Sequence, residues 1–294
     1  MKLGIGIGLK FGRRGGAAGP TGLLDRYTGA AAAFSLDTLI YSAHSVVDTK
    51  TSSETYNDPA APYTVLVRRD TTPNAWRSFT HTEVGDGTLT TWVGAGNNGF
   101  VEVWYNQGSA GDAVQTTTAN QPKIVDNGSL VVENGKAIIR RTSADNTMLT
   151  TFMINDYSNL TFFNVGINNT SFTRLCLYSS ENGGSTITYL GEDSSTSTSI
   201  ISRINITSSR INSVAFTPTT RDDVHTGLSN YFLLSFLGDT PTFQTNSLSF
   251  GYSPGNTLGY GMLDLQSVII YTSDQSANRT AIETALNNYY QIYP

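Results

Sequence analysis

One cysteine, three histidines and nine prolines are all that this 294-residue chain contains of those types, and only 14% of its residues carry charge. The lone Cys176 excludes an intramolecular disulfide and any multi-thiolate metal site. It lies in the apolar run FTRLCLY (172–178), where a buried, inert thiol is expected rather than a nucleophile. His44, His81 and His225 stand far apart and outside any zinc or catalytic-triad spacing. Glu192-Asp193 could face a calcium ion, but no ligand spacing of a known loop surrounds it, so no metal is expected. No apolar run approaches the roughly 20 residues that a membrane helix needs, which excludes a helical span. A formal charge of -5, with no run mixing basic and aromatic residues in the body, disfavours specific nucleic-acid binding. No GxxxxGK[ST] loop occurs, and among the opening glycines Leu9 breaks the GxGxxG spacing, so no nucleotide cofactor is expected either.

What the chain does have is 40 Thr, 30 Ser, 15 Tyr and 13 Phe, a composition suited to pleated, half-buried strands rather than to helices. The opening segment, MKLGIGIGLKFGRRGGAAGPTG (1–22), differs from the rest. Leu3, Ile5, Ile7, Leu9 and Phe11 alternate with Gly4, Gly6, Gly8 and Lys10, and Lys2, Lys10, Arg13 and Arg14 give +4 before the first acidic residue, Asp25. The interruptions exclude a secretory signal, which needs a continuous apolar stretch. A period of two places every large side chain on one face of an extended strand and leaves the other face bare. Such a strand gains little by folding alone, but its bare face admits another backbone and its apolar face fills a groove. Leu3, Ile5, Ile7, Leu9, Phe11, Arg13 and Arg14 are therefore expected to form a partner-docking arm, with residues 15–22 as its hinge.

From Tyr63 onward, β-type runs recur between turn signals: YTVLVRR (63–69), FVEVWY (100–105), SLVVEN (129–134), KAIIRR (136–141) and LTFFNVGI (160–167). Further runs are FTRLCLY (172–178), STITYL (185–190), SIISRINI (199–206), RINSVAF (210–216), YFLLSFLG (231–238) and MLDLQSVIIY (262–271). Asn134-Gly135 between two of them predicts a two-residue hairpin. Strands never alternate regularly with helices, which argues against a parallel α/β fold and for a single sandwich over 23–294. One helix is predicted at about 276–290, capped by Asp274 or Ser276, with Ile282, Ala285, Leu286, Tyr289 and Tyr290 on one stripe. The four alanines of Gly29–Leu36 suggest a second short helix, and Ser42–Ala61 a surface loop.

The blocks AAAAFSLDTLIYS (30–42), YTVLVRRD (63–70), GFVEVWYNQGSAGDAVQTTTANQPKIV (99–125) and VVENGKAII (131–139) resemble the catalytic domain of the α-L-arabinofuranosidase B family. The end, LQSVIIYTSDQSANRTAIETALNNYY (265–290), resembles the closing strand and helix of laminin-G-like modules, and similar chains occur in structural proteins of tailed bacteriophages. The resemblance implies an all-β, concanavalin A-like jelly-roll sandwich with a C-terminal helix, here joined to an extended N-terminal arm. In the family, a glutamate nucleophile and an aspartic acid flank the sugar bond, as retaining hydrolysis requires. The corresponding positions here hold Thr186 and Ser253, and the family's Tyr-Asp-Gln becomes Tyr105-Asn106-Gln107. No catalytic residue is therefore expected.

The resulting expectation is a non-enzymatic virion protein of a tailed bacteriophage, a fibre or decoration on head or tail. It would assemble in the host bacterial cytoplasm and be exposed on the particle surface. Its partners would be other virion proteins, docked through the arm, and copies of itself in a dimer or trimer, with host-surface glycans as a candidate ligand. Trp76, in the turn-like TPNAWRS (72–78), is the candidate sugar platform, whereas Trp104 reads as core. The alternatives are a glycoside hydrolase, drawing on Glu102, Glu192, Asp193, Asp222, Asp223 and Asp264, or a secreted carbohydrate-binding adhesion module.

Overall fold

The computed structural model describes residues 22–40, 61–71, 74–142, 148–150, 159–168, 176–182, 185–192, 200–201, 205–219, 221–228, 230–239, 248–250 and 263–294. The expected docking arm, most of the Ser42–Ala61 loop and Ser253 lie outside these residues. In chain order the first strands are β1 (Ala30–Ser35), β2 (Tyr63–Arg69), β3 (Ala75–Thr80), β4 (Gly99–Trp104), β5 (Ala113–Val114) and β6 (Lys123–Asp126). Next come β7 (Ser129–Leu130), β8 (Val132–Glu133), β9 (Lys136–Ala137), β10 (Met148–Thr150), β11 (Leu160–Asn168), β12 (Cys176–Asn182) and β13 (Ser185–Glu192). The last are β14 (Ile200–Ile201), β15 (Asn205–Ile211), β16 (Val214–Ala215), β17 (Tyr231–Asp239), β18 (Leu248–Phe250) and β19 (Leu263–Tyr271). The helices are α1 (His81–Gly85), α2 (Thr88–Val93), α3 (Arg221–Gly227) and α4 (Arg279–Tyr290).

The strands build an all-β sandwich of two antiparallel sheets. Sheet A runs β1-β19-β11-β17-β15-β16, and sheet B runs β14-β13-β12-β18-β10-β5-β4-β2-β3, with β6 and β7 attached at β4. Phe34, Phe162, Phe232, Phe236, Val268 and Ile270 of sheet A meet Val65, Val67, Phe79, Val101, Trp104 and Phe250 of sheet B in one core. Trp104 is 1% exposed, as its apolar run predicts. Sheet A is covered on its second face too. Phe163, Val165, Leu233, Ile269 and Tyr271 pack against Ile282, Leu286 and Tyr290 of α4. A strand buried on both sides has no reason to alternate, which is why Tyr231–Leu234 of β17 and Val268–Tyr271 of β19 are continuous apolar runs.

The predicted helix stripe is the one buried. Ile282, Leu286 and Tyr290 are fully buried and contribute roughly 1.5–3 kcal/mol each, enough to hold one helix on a sheet. The helix starts later than predicted. Its N-cap is Asn278, without a side-chain bond, and Asp274 Oδ1 instead accepts from Ser276 N at 2.7 Å in the turn before it. Within the helix Glu283 is fully buried, accepting from Arg279 Nε at 3.2 Å, Arg210 Nη1 at 3.2 Å and the hydroxyls of Ser213 and Ser235. A charge so placed is tolerated because both oxygens are occupied.

Gly29–Leu36 corrects the helix suggested by its alanines: Ala30–Ser35 is the strand β1, buried throughout. Alanine's helix preference is a few tenths of a kcal/mol per residue, less than the ladder to β19 supplies. The hairpin at Asn134-Gly135 forms as predicted between β8 and β9, with φ of 46° and 72°. Asn127-Gly128 (φ 50° and 81°) and Asn212-Ser213 (φ 52° and 63°) make the same left-handed pair of turn residues. The last of these divides RINSVAF into two strands, β15 and β16, where the sequence suggested one.

Candidate functional site

Strands β2, β3 and β4 lie side by side in sheet B, and their faces turned away from the core carry a second cluster. Tyr63, Leu66 and Tyr105 are buried there, with Trp76 and Val103 packed against them. Glu102 joins this face through a bulge. Leu66 pairs with Val103 but Val67 with Val101, so Glu102 is the extra residue. A bulge puts two successive side chains on one side of a strand. Thus Val101 and Trp104 point into the core, while Val103 packs in the outer cluster beside Glu102.

Glu102 is only 1% exposed. Its Oε2 accepts from Trp76 Nε1 at 2.6 Å and from Gln121 Nε2 at 3.2 Å. Gln121 also donates to Gln115 O at 2.9 Å, and its Oε1 accepts from Arg68 Nε at 2.7 Å. Arg68 lies over the Phe100 ring, 4.7 Å from its centroid, and donates to Thr118 O at 3.4 Å. Burial lowers the pKa of its guanidinium from the ordinary value, while Asp70 and Glu102 push it the other way. The segment QTTTANQ (115–121) wraps this group. Gln115 N donates to Glu102 O at 2.8 Å, Thr117 N donates to Gln115 Oε1 at 3.0 Å, and a short 3-10 turn at Thr118–Asn120 brings Gln121 down onto the carboxylate. The Gln-Thr-rich stretch thus serves as a seal over a buried charge.

The adjoining motif Tyr105-Asn106-Gln107 is also employed in holding the molecule together. Asn106 Oδ1 accepts from Ala33 N at 2.7 Å and Gly108 N at 2.9 Å, while Nδ2 donates to Ala31 O at 3.2 Å and Ala110 O at 2.7 Å. Gln107 Oε1 accepts from Leu39 N at 2.6 Å and Ile40 N at 3.1 Å, and Nε2 donates to Ser35 O at 3.3 Å and Asp37 O at 2.7 Å. Gln107 N and Ala110 N donate to Ala33 O and Ala31 O, each at 2.8 Å. These bonds pair the outer edge of β1 with the loop that leaves β4, binding sheet A to sheet B. Gly108 is needed there, since a Cβ would lie 2.7 Å from the carbonyl oxygens of Ala30 and Ala31.

The expected site residues fall as follows. Trp76 is partly buried, with its indole edge spent on Glu102 rather than presented to solvent. Of the carboxylates considered for hydrolysis, Glu102 belongs to sheet B and Asp264 to sheet A. Asp264 is fully buried, accepting from Arg140 Nε at 2.9 Å and Arg141 N at 3.0 Å. Asp223 accepts from Thr219 N at 2.8 Å and Thr219 Oγ1 at 3.0 Å. Asp193 lies outside the described residues, and of Glu192, Asp222 and Thr186 only the backbone is described. Among the described residues no three of His, Cys, Asp and Glu gather where they could hold a metal ion. His81 is exposed on α1. No helix of the described residues is long and apolar enough to cross a membrane.

No family model matches the chain, and no curated protein matches it. Solved structures do. A GH54 α-L-arabinofuranosidase soaked with a cyclic sulfate inhibitor matches at a TM-score of 0.52 and 13% identity, over 90% of this chain and 65% of that one. A glutamate-to-glutamine mutant of a GH54 α-L-arabinofuranosidase, soaked with 4-nitrophenyl α-L-arabinofuranoside, matches at 0.50 and 12%, over the same shares. The chain therefore spans 65% of the length of the structures it matches, and what it has in common with them is the arabinofuranosidase-like β-sandwich fold.

Proposed function

We propose that this chain is a non-enzymatic structural protein of a tailed-bacteriophage particle, a fibre or decoration of head or tail. Residues 1–14 dock it to a partner, and the sandwich is the displayed body, closed by a laminin-G-like strand and helix. The observation that carries this reading is where the motif resembling the hydrolases spends its polar groups. Asn106 and Gln107 bond backbone across the two sheets, and Glu102 is sealed beneath Gln121 and Trp76. Retaining hydrolysis needs two carboxyl groups about 5–5.5 Å apart and open to a sugar. Glu102 and Asp264 belong to different sheets, each held in its own network. Host-surface glycans are the ligand class this display suits, since many weak contacts gain from several copies on one particle.

The second reading is a glycoside hydrolase, favoured by the shared sandwich fold. It would use Glu192 or Asp193 in place of the family positions occupied by Thr186 and Ser253. Particle composition decides between the two. Mass spectrometry and electron microscopy of purified particles from the host carrying the gene should find the full chain in many copies. A chain lacking residues 1–14 should fold and be left out of the particle. Its absence from particles, or undiminished incorporation without residues 1–14, would overturn the proposal.

A further inference from the structure

Two features bear on association. One is the alternating Leu3, Ile5, Ile7, Leu9 and Phe11 of the opening segment, known from its sequence alone. The other is the outer edge of β16. Val214 is 69% exposed, more than any other large hydrophobic residue described. Ile211 faces Val214 across the Asn212-Ser213 turn. In a two-residue antiparallel hairpin the flanking pair exchanges both backbone bonds, so the next residue directs its peptide groups outward. That residue is Ala215, and Phe216 N accordingly turns back to donate to Ser209 O at 3.0 Å. Among the described residues β16 is the last strand of sheet A, so the outward N–H and C=O of Ala215 meet no further strand. An exposed apolar edge of this kind invites another strand.

We propose that this edge receives the Leu3–Phe11 strand of a second copy of the chain. The inference rests on residues 1–14 being a docking strand, as under the proposed function, and supplies the partner's identity. The fold argues for a second copy. Leu23 N and Leu24 N bond to Thr38 O and Leu39 O, so the chain enters the sandwich beside the segment that leaves β1. β1 and β16 are the opposite edges of the six-stranded sheet A, roughly 24 Å apart at about 4.8 Å per strand. Between them one face of the sheet is filled by the core and the other by α4. The direct path to the chain's own β16 is therefore closed on both sides. The ten residues between Phe11 and Gly22 span up to about 35 Å when extended, which reaches a neighbour. Donor and acceptor at opposite edges make a head-to-tail contact, which closes into a ring of copies or continues as a filament. The glycine face of the arm lets its backbone approach Ala215, and its apolar face covers Val214.

The test measures mass by light scattering on the full chain and three variants. The wild type should be multimeric. Deletion of residues 1–14 should give a single-chain mass, and so should Ala215→Pro, which replaces the outward N–H by the proline ring. Val214→Lys, at an exposed side chain, should lower association at least tenfold, and it stands in for Ala215→Pro if that variant unfolds by circular dichroism. Mixing the deleted chain, which keeps the acceptor, with Ala215→Pro, which keeps the donor, should restore a species of two chains and no more. A multimer that needs residues 1–14 but survives both edge changes would overturn the acceptor and leave the docking arm standing. A monomeric wild type would overturn the second copy as the arm's partner, while incorporation into particles remains the test of the arm itself.

Discussion

Trp76 Nε1 donates to Glu102 Oε2 at 2.6 Å on the face of sheet B that looks away from the core. The bond joins the residue expected to display itself to a sugar with a carboxylate considered for hydrolysis, and it occupies both. The bulge at Glu102 makes the meeting possible, because without it the strand would alternate Glu102 and Val103 to opposite faces.

Trp76→Phe keeps most of the apolar packing and removes the donor. With a buried carboxylate losing one charge-assisted bond, the chain should lose about 1.5–3 kcal/mol by urea unfolding. Glu102→Gln retains an acceptor for the indole and should cost less. An unchanged midpoint for Trp76→Phe would mean that water replaces the indole freely and that Glu102 is not sealed.

Asn106→Asp tests whether the motif's departure from Tyr-Asp-Gln is structural. Asn106 Nδ2 donates to Ala31 O and Ala110 O, and an ionised aspartate would place negative oxygen against both. The variant should lose about 3 kcal/mol or more at neutral pH. The new carboxyl would have its folded pKa raised, so the penalty should shrink as pH falls and the acid protonates. A loss that stays constant from pH 4 to 7 would contradict this.

Gly166 lies opposite a bulge in β19, where Val165 pairs with Ser267 and Gly166 with Leu265. A Cβ there would stand 2.5 Å from Asp264 O. Gly166→Ala should therefore destabilise by about 1–3 kcal/mol, as at an overpacked core position, and lower the thermal midpoint accordingly. Gly135→Ala, with open space around its Cβ, suffers only the strain of φ 72° and should cost less.

Asp37 supplies a pH dependence. Burial raises its pKa above 3.8, opposed by the Tyr289 hydroxyl at 2.5 Å and by Lys136 and His81. With the folded pKa above the unfolded one, the native state binds the extra proton. The stability this gives is complete below pH 3.8 and is lost as pH rises through the raised value. Asp37→Asn keeps an acceptor for Tyr289 and should flatten that slope, gaining stability near pH 7 relative to wild type. A thermal midpoint that rises less for Asp37→Asn at pH 7 than at pH 4 would contradict the sign.

Much of the fold was legible because sandwich strands announce themselves through β-branched and aromatic runs. Tyr63–Arg69 matches its predicted limits, and α4 buries the predicted Ile282, Leu286 and Tyr290. The alanines of β1 misled because their strand is imposed from outside, by β19 on one side and Asn106 to Ala110 on the other. The short helix α1 did carry a signal. Thr80-His81-Thr82-Glu83 is a capping box, and both of its reciprocal bonds form. The site was less legible. Period two alone placed Glu102 between Val101 and Val103 on an undecided face, and a bulge is a register event involving β2 that one strand's sequence does not encode. Nor could the chain's text show that Gln121 and Gln115 fold back over Glu102, since that depends on the 3-10 turn between them.

The most direct test of a sandwich without hydrolytic chemistry is to incubate the full folded chain with 4-nitrophenyl α-L-arabinofuranoside and follow nitrophenol release. The account predicts a rate equal to that of the heat-denatured chain. Release well above that background, abolished by Glu192→Gln with the fold intact, would contradict it.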